Sequence, residues 1–241
     1  MSGCHEVVEK FLELGQDPNC LVTKTSDSPL HLALAGGHDK VVEMLLRHGA
    51  DPNSADENGM RPLHLIYNRE FDDDLAEVFF KICDEKHQLV QVDAVDKLGR
   101  APPLYALFHN RKKVIELLLE RGANPNLAAK SGWTPMQIIC DRENDDNLAK
   151  IFFDINDGKH QLVEVNVQDK FGRTPLLLAI HYNLKMTAEL LLRRGADPNL
   201  SDRDGWTPLQ MIFRKENDAD VLAKMLFKIS DEKHQLVQVN A

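Results

Sequence analysis

The amino-acid sequence predicts an all-α protein in which helix–turn–helix units stack into a solenoid. Three repeated phrases support this prediction. Lys-His-Gln-Leu-Val occurs at 86–90, 159–163 and 233–237, and a phrase close to Arg-Gly-Ala-Asp-Pro-Asn recurs between these copies. A third phrase centres on a proline that recurs at spacings of 33, 40, 33, 40 and 33 residues: Pro29, Pro62, Pro102, Pro135, Pro175 and Pro208. Periods of this size are typical of repeat proteins.

Each short unit reads as a turn, a helix, a loop, a second helix and a stop. Thr174 suits the N-cap of a first helix, and Pro175 suits the first helical position, where its missing N–H is not needed. A second, amphipathic helix is expected over 187–193, with Gly195 as its left-handed cap. Pro198 then prevents the helix from continuing. One such unit is too small to bury its own apolar face, so the units must stack.

Length, composition and charge narrow the class of protein. The chain has 241 residues, of which 43% are hydrophobic and 28% charged, as in ordinary globular proteins. Its net charge of −9 provides no field that attracts nucleic acid or an anionic membrane surface. No run of about 18 apolar residues is present. We therefore expect neither a nucleic-acid partner nor a membrane partner.

Cysteine usage and the first residues predict the compartment. The first twenty residues lack a basic start followed by an apolar stretch, so we expect no signal peptide. The four cysteines, Cys4, Cys20, Cys83 and Cys140, are widely spaced and are expected to be reduced thiols. This favours the cytoplasm, with the nucleus as a second compartment. The spacing does not suit a structural zinc site, and we expect no metal and no cofactor.

Several segments resemble the ankyrin repeat. The signature of that family is Thr-Pro-Leu-His-x-Ala. SPLHLA at 28–33 matches it closely, DKFGRTPL at 169–176 and DRDGWTPL at 202–209 match the hairpin before it, and LLRHGADPN at 45–53 matches the exit from the second helix. The resemblance covers nearly the whole chain. It implies units of a β-turn or short hairpin plus two helices.

The resemblance implies a single ankyrin-repeat domain over 1–241. We expect an N-terminal half repeat at 1–24, short repeats at 25–57, 98–130 and 171–203, long repeats at 58–97 and 131–170, and a truncated long repeat at 204–241. The segment 5–19 aligns with a second helix. The pattern leaves open whether the chain is a truncated product or one end of a longer array.

The 40-residue units depart from the family pattern. They place Ile66, Ile139 and Ile212 in a slot where the family favours alanine. They also carry seven additional residues, and we expect a second helix lengthened through roughly His87. Pro103 is the one proline outside the regular pattern, and it marks a position where a local distortion is expected.

A catalytic interpretation of the histidines is weak. His87, His160 and His234 repeat in one register, beside Asp84, Asp157 and Asp231. An active site needs one converging group of residues, and copies 73 or 74 residues apart in a stack do not converge. A cation near a helix C-terminus is the favoured alternative. We therefore expect no enzyme.

Acidic runs recur before the second helices of the long units, at 72–74, 143–146 and 216–220. Carboxylates at helix N-termini stabilise by about 0.3–1 kcal/mol each, and we favour that role. The alternative is a charged stripe for a basic partner or a cation.

The turn tips supply the candidate contact residues. Trp133 and Trp206 each follow a tip glycine, and their counterparts are Met60, Arg100 and Arg173. Tryptophan and arginine are enriched at binding hot spots, although each ring could instead lie over its own turn and the neighbouring one. The resemblance implies that tips and first helices line a concave binding face. That face would add Lys97, Lys170, Phe171 and Arg203 at the tips, and Tyr67, Arg69, His109, Arg142, Tyr182 and Arg214 after the first helices.

The expected function is a non-catalytic protein–protein interaction scaffold or adaptor that binds a partner protein on that face. The partner's identity is not encoded in a motif, and we expect a monomer. Two alternatives remain: the substrate-receptor part of a ubiquitin-ligase assembly, and a truncated array fragment without a stable partner.

Overall fold

The structure is a computed structural model that describes residues 3–21, 26–67, 73–143, 147–215 and 219–239. Thirteen α-helices and no strands occur in these ranges. Contacts group the chain into two compact units, Met1–Ala123 (unit 1) and Asn124–Ala241 (unit 2). None of the helices in the described ranges combines the length and hydropathy needed to cross a membrane.

Unit 1 contains seven helices in two rows. They are α1 (Gly3–Glu13), α2 (Pro29–Ala35), α3 (Asp39–Arg47), α4 (Pro62–Tyr67), α5 (Asp73–Glu85), α6 (Pro102–Phe108) and α7 (Lys112–Glu120). The first helices α2, α4 and α6 pack in sequence, and the second helices α1, α3, α5 and α7 form the other row. The core lies between the rows, where Phe79, Phe80 and Ile66 are at most 1% exposed.

Unit 2 repeats this arrangement with six helices. They are α8 (Pro135–Cys140), α9 (Leu148–Gly158), α10 (Pro175–His181), α11 (Lys185–Arg193), α12 (Pro208–Phe213) and α13 (Ala219–Glu232). First helices α8, α10 and α12 form one row, and second helices α9, α11 and α13 form the other. Phe152, Phe153 and Ile212 are buried between them.

All six first helices begin at the predicted prolines. Ser28, Thr134, Thr174 and Thr207 act as N-caps, each accepting a hydrogen bond from a backbone N–H three residues later. The expected distortion at Pro103 is absent, since α6 is seven residues long, as α2 and α10 are. The physical reason is that the second helical position also needs no N–H.

The second helices of the long units have 13, 11 and 14 residues against nine in the short units after α1, which confirms the expected lengthening. They end as the short units do, two residues before the expected end in the case of α5. Helix α5 ends at Glu85, and His87 is left-handed with φ 54°. The His87 N–H donates to the Asp84 carbonyl at 3.0 Å, and the Gln88 N–H donates to the Cys83 carbonyl at 2.8 Å. His160 and His234 have φ 56° and 55°. Histidine therefore occupies the position that glycine occupies in the short units.

The seven additional residues are divided between two places. Gly49, Gly122 and Gly195 lie 20 positions after the first proline of their units, whereas the histidine stops lie 25 or 26 positions after theirs. From stop to next proline, the distance is 13 positions after a glycine stop and 15 after a histidine stop. Five or six of the additional residues therefore lie before the stop and two lie after it. The helix could not absorb all seven, because a left-handed residue ends it whichever residues come next.

Two backbone hydrogen bonds close each hairpin tip. The Asp169 N–H donates to the Arg173 carbonyl at 3.1 Å, and the Gly172 N–H donates to the Asp169 carbonyl at 2.9 Å. Gly172 has φ +78°, and a Cβ there would lie 2.7 Å from the Arg203 nitrogen. The tips that begin at Asp56, Asp96, Ala129 and Asp202 have the same pair of bonds. The first predicted hairpin, 23–28, lies partly outside the described residues.

Candidate functional site

Two of the predicted contact arginines are bound within their own turns. The Arg100 guanidinium lies 2.7 Å from the Asp96 carboxylate, and Arg173 lies 2.7 Å from the Asp169 carboxylate. Both carboxylates are almost fully buried, with side chains 2% and 0% exposed. They also accept backbone N–H bonds across the turn, including one from each arginine. These arginines hold the tips rigid while about a third of each side chain stays exposed.

The electrostatics of Asp96 follow from this environment. Burial alone would raise the pKa of its carboxyl. Hydrogen bonds from the Arg100 backbone and guanidinium and from the Tyr105 hydroxyl outweigh burial and hold that pKa below its usual range. The Tyr105 hydroxyl donates to Asp96 at 2.8 Å, and burial together with this bond raises the pKa of Tyr105. The ionised Asp96 carboxylate thus accepts the hydrogen bonds that hold this tip together.

Trp133 lies against Arg173 and is half-buried. The Arg173 guanidinium is 5.4 Å from the Trp133 ring centroid and 5.0 Å from the Phe171 ring centroid, so it sits close to two aromatic rings. Cation–π contacts of this kind stabilise by about 0.5–1 kcal/mol at exposed sites. Trp133 therefore supports the neighbouring turn, as one of the two sequence interpretations proposed.

A groove in unit 2 brings three of the predicted residues together. We call it the tip groove. It has a volume of about 520 Å³ and is lined by Arg173, Leu177, Leu178, His181, Asp202, Asp204, Trp206, Met211, Arg214 and Lys215. Its residues come from two turn tips and from α10 and α12. Leu177 and Leu178, each 1% exposed, and the half-buried Met211 supply its apolar lining, and charged groups of both signs surround it.

Trp206 and Arg214 are exposed in the tip groove. The Trp206 side chain is 36% exposed, and the Arg214 guanidinium lies 4.9 Å from its ring centroid. The Lys215 ammonium donates to the His181 carbonyl at 2.7 Å, which ties the end of α12 to the end of α10. Sequence reasoning missed Leu177, His181, Met211 and Lys215, because their place in the groove depends on how α10 and α12 pack.

The remaining tip residues are exposed. Lys97, Lys170, Phe171 and Arg203 lie on the surface, with the Lys170 ammonium 4.9 Å from the Phe171 ring centroid. Their backbones join successive tips: the Lys97 N–H donates to the Asn58 carbonyl at 2.8 Å, and the Arg203 N–H donates to the Phe171 carbonyl at 2.9 Å. Long side chains thus project from a rigid row of turns within each unit.

The predicted residues after the first helices differ in exposure. The structure corrects the prediction for Tyr67, whose side chain is 1% exposed because α4 turns it into the core. His109 is exposed, and Arg142 is half-buried and engaged in contacts. Tyr182 is half-buried, and a hydrogen bond to Asp141 together with burial raises its pKa. Arg69 lies outside the described residues.

Met60 is half-buried and contributes to packing. Its sulfur lies 3.2 Å from the oxygen of the Tyr105 hydroxyl, which donates its proton to Asp96. This contact joins one tip to the first helix of the following repeat within unit 1.

The fourth residue of the proline phrase connects neighbouring repeats, a role that sequence reasoning missed. The His64 Nδ1 accepts from the Arg61 N–H at 3.1 Å, which leaves Nε2–H to donate to the Arg100 carbonyl at 3.1 Å. Gln137 makes the equivalent bond to the Arg173 carbonyl at 3.1 Å. The signal was present in the sequence, since this slot holds His or Gln in four of the six phrases.

The cysteines and the acidic runs are the remaining candidates from the sequence. No group of His, Cys, Asp and Glu in the described ranges is arranged to hold a metal ion. Cys20, Cys83 and Cys140 form no disulfide, and burial raises the pKa of the Cys83 thiol to about 12. The acidic runs lie partly outside the described residues, but α5 begins within one of them and α13 within another.

Comparisons with known proteins agree with this architecture. The family of ankyrin repeats, in three copies, matches residues 1–73 and 144–233. The ankyrin repeat domain of Bcl-3, a member of the IkappaB protein family, superposes with a TM-score of 0.70 at 22% identity and covers 91% of each chain. An ankyrin repeat domain from Acinetobacter baumannii superposes with a TM-score of 0.67 at 25% identity, covering 84% of this chain and 97% of that one.

Curated relatives are longer proteins. Palmitoyltransferase AKR1 of Lachancea kluyveri is 32% identical over 54% of this chain and 17% of its own length. Phosphocholine transferase AnkX of Legionella pneumophila is 27% identical over 89% of this chain and 23% of its own. Human transient receptor potential cation channel subfamily A member 1 is 27% identical over 85% of this chain and 18% of its own. The chain thus spans about a fifth of these relatives, while the family match covers more than half of the chain: it belongs to the ankyrin-repeat family.

Proposed function

We propose that this chain is a non-catalytic adaptor that binds a partner protein in the tip groove of unit 2. Ankyrin repeats are in general protein–protein interaction modules. The observation that carries the proposal is the groove itself, in which Trp206 and Arg214 lie exposed beside apolar side chains. Aromatic and arginine side chains over desolvated apolar surface are the usual composition of binding hot spots.

The charges of the groove favour a partner with both signs of charge. Asp202 and Asp204 supply carboxylates, while Arg214 and Lys215 supply cations. Complementary charges around an apolar centre contribute to specificity and association rate more than to affinity. The partner that fits is a protein segment with an apolar anchor flanked by charged residues, met in the cytoplasm or nucleus.

The proposal concerns binding and not catalysis. Two relatives are named as transferases, but this chain corresponds to only 17% and 23% of their lengths. The ankyrin-repeat fold is typically non-enzymatic. We therefore propose that this region supplies recognition.

A crosslinking experiment tests the site. A photoreactive amino acid replaces Trp206 in one variant and Leu162 in another; Leu162 is 80% exposed in the same unit but does not line the groove. We expect a discrete crosslinked partner at position 206 in extracts of the source cell and none at 162. Equal crosslinking at both positions, or none at 206, would contradict the proposal.

Substitutions then measure the contribution of the groove to affinity for that partner. Trp206→Ala and Arg214→Ala should each weaken binding by tenfold or more, since truncating a hot-spot residue costs about 2 kcal/mol or more. Leu162→Ala is the matched control and should bind as the unmodified chain does. Circular dichroism should show unchanged helical content in all three variants; a loss of helix in Trp206→Ala would assign the ring a structural role.

A further inference from the structure

Four of the five described hairpin tips begin with an aspartate, which we call the tip aspartate: Asp56, Asp96, Asp169 and Asp202. In each of them, the carboxylate oxygen Oδ1 accepts two backbone N–H bonds across the turn, at 2.7 to 3.0 Å. These bonds fix the orientation of the carboxylate and leave its second oxygen, Oδ2, for another donor.

In two tips, an arginine four positions after the aspartate donates to that second oxygen. Arg100 donates to the Asp96 Oδ2 through Nε at 2.8 Å and through a terminal nitrogen at 2.7 Å. Arg173 binds the Asp169 Oδ2 in the same way, at 2.8 and 2.7 Å. An aromatic ring centroid lies 4.6 Å from the first guanidinium and 5.0 Å from the second. A fixed carboxylate oxygen beside an aromatic ring is therefore how this chain binds a guanidinium at a tip.

Asp202 has the same turn without an arginine. Its tip carries Trp206 four positions later, and none of the residues that the structure describes donates to the Asp202 Oδ2. Arg214 lies over the Trp206 ring, and no ion pair joins it to Asp202 in the described ranges. Asp202 and Trp206 both line the tip groove. The groove thus contains a carboxylate oxygen and an aromatic ring, the two elements that bind a guanidinium in the other tips.

The residue four positions after the tip aspartate decides whether Oδ2 is occupied, and the neighbouring repeats do not. Asp56 also lacks an arginine, because Met60 occupies that position. The Asp96 tip follows the Asp56 tip, yet no described residue of that repeat bonds to the Asp56 carboxylate. Asp56 is half-buried, as Asp202 is, whereas the side chains of Asp96 and Asp169 are almost fully buried. The open oxygen of Asp202 is therefore a property of its own tip.

We propose that a partner protein places an arginine in the tip groove, where the guanidinium donates to the Asp202 Oδ2 and lies beside the Trp206 ring. This inference rests on the proposed function and names the residue that the groove recognises. Asp204 adds a second carboxylate, and the half-buried Met211 provides an apolar contact for the aliphatic part of the arginine. Lysine fits less well, because an ammonium group is a compact charge without the planar fork.

The charges already in the groove permit an additional cation. Arg173 is paired with the buried Asp169 at 2.7 Å, and the Lys215 ammonium donates to the His181 carbonyl. Arg214 is the third cation of the groove, and Asp202 and Asp204 are its other two carboxylates. Three cations thus face three carboxylates while the imidazole is neutral, so an incoming arginine does not enter a positively charged site.

Nuclear magnetic resonance of the full chain tests the site with N-acetyl-arginine amide, and with N-acetyl-lysine amide as the matched control. We expect the Asp202 amide and Trp206 indole signals to shift about threefold or more further with arginine than with lysine at equal concentration. The Asp169 amide signal should not move, because Arg173 already holds that carboxylate. Equal shifts with both compounds, a shift at Asp169 as large as that at Asp202, or none at Asp202 would overturn the inference.

Two arginine substitutions form a matched pair. Trp206→Arg gives the Asp202 tip the pattern of the occupied tips, so the chain's own guanidinium should hold Oδ2 and abolish the arginine-dependent shift at Asp202. Met60→Arg does the same in the Asp56 tip and should leave the shift at Asp202 unchanged. Persistence of the Asp202 shift in Trp206→Arg would contradict the assignment.

Asp202→Asn tests the charge of the carboxylate directly. Asparagine keeps an oxygen for the two backbone bonds, so the turn should form, while the arginine-dependent shift of the Trp206 indole should disappear. Dispersion of the amide spectrum shows whether the variant is folded; should it not fold, the Trp206→Arg variant decides. An unchanged shift of the indole in folded Asp202→Asn would refute the role of the carboxylate.

Failure of this inference and failure of the proposed function can be told apart. Crosslinking at position 206 tests whether a partner protein occupies the groove, whereas the arginine titration needs no partner. Capture of a partner at 206 without any arginine preference at Asp202 would overturn the arginine assignment alone. Arginine binding at Asp202 without a captured partner would support the chemistry of the site and contradict the adaptor function.

Discussion

At the scale of single residues, one residue type performs different tasks in different positions. His64 is buried between repeats, where one ring nitrogen accepts from Arg61 and the other donates to Arg100. His87 is an exposed left-handed helix stop. His109 is exposed after a first helix. The chemistry of the imidazole matters only at the first of these positions, because only there do both nitrogens have partners in the repeat.

The buried His64 should make stability depend on pH. Burial lowers its pKa from 6.5; hydrogen bonding to the Arg100 carbonyl and the charge of Asp96 oppose this, while Arg61 supports it. The unfolded chain therefore binds more protons than the folded chain below about pH 6.5, and stability falls as the pH is lowered through that value. His64→Gln should remove this component. It should change stability at pH 7.5 by less than about 1 kcal/mol, since Gln137 makes the same bond in the next long repeat.

Urea unfolding at pH 7.5 and pH 5.5 measures the effect. The unfolding midpoint of the unmodified chain should drop more between these pH values than that of His64→Gln. His109→Gln, which removes an exposed histidine, should behave as the unmodified chain does. If the unfolding midpoint drops equally in His64→Gln and in the unmodified chain, another group causes the loss of stability at low pH.

At the scale of helices, the residue that ends each second helix marks the boundary of the repeat. A left-handed residue ends every described second helix whose exit is resolved, whether glycine or histidine. The sequence phrase Arg-Gly-Ala made the glycine stops predictable. The histidine stops were not recognised, because histidine enters the left-handed region less often than glycine and resembles a favourable cation at a helix end.

A matched pair of glycine substitutions tests the stops. Gly195 is left-handed with φ +88° and Gly158 is helical, and a Cβ at either position would meet open space. Gly195→Ala should destabilise by about 1 kcal/mol, because a left-handed alanine is strained. Gly158→Ala should stabilise by up to about 1 kcal/mol, because alanine loses less entropy in a helix. Urea unfolding gives both values; the same sign for both would refute the assigned backbone conformations.

At the scale of the whole molecule, net charge limits the classes of partner. The chain carries 38 acidic and 29 basic side chains. In the described ranges, many of the arginines are engaged by carboxylates of the same chain, as in the pairs of Arg100, Arg121, Arg173 and Arg194. Little positive potential is left for a polyanion.

We therefore expect no binding to duplex DNA or heparin at physiological salt. The physical reason is that non-specific binding depends on the release of counterions by basic side chains. A heparin column in about 0.15 M salt should not retain the chain, while a basic protein of similar size is retained. Retention of this chain would contradict the prediction and reveal a basic surface.

Much of the local architecture was predictable from the sequence because its determinants are local. A proline after Ser or Thr starts a first helix, and a glycine in the left-handed region ends a second helix; both depend on residues within one turn of the chain. The candidate site was predictable only in part. Trp206, Arg173 and Arg214 were identified from residue type and position, but Tyr67 was placed on the wrong side of its helix.

The sequence alone determined the repeat, the residues that begin and end its helices, and its all-helical class. The tertiary structure decided which side chains meet across 30 to 40 residues of sequence: Arg173 over Trp133, Arg121 on Asp84, His64 on Arg100, and the groove beside Trp206. These contacts depend on how neighbouring helices pack, because a side chain's direction follows from the orientation of its helix against the next one.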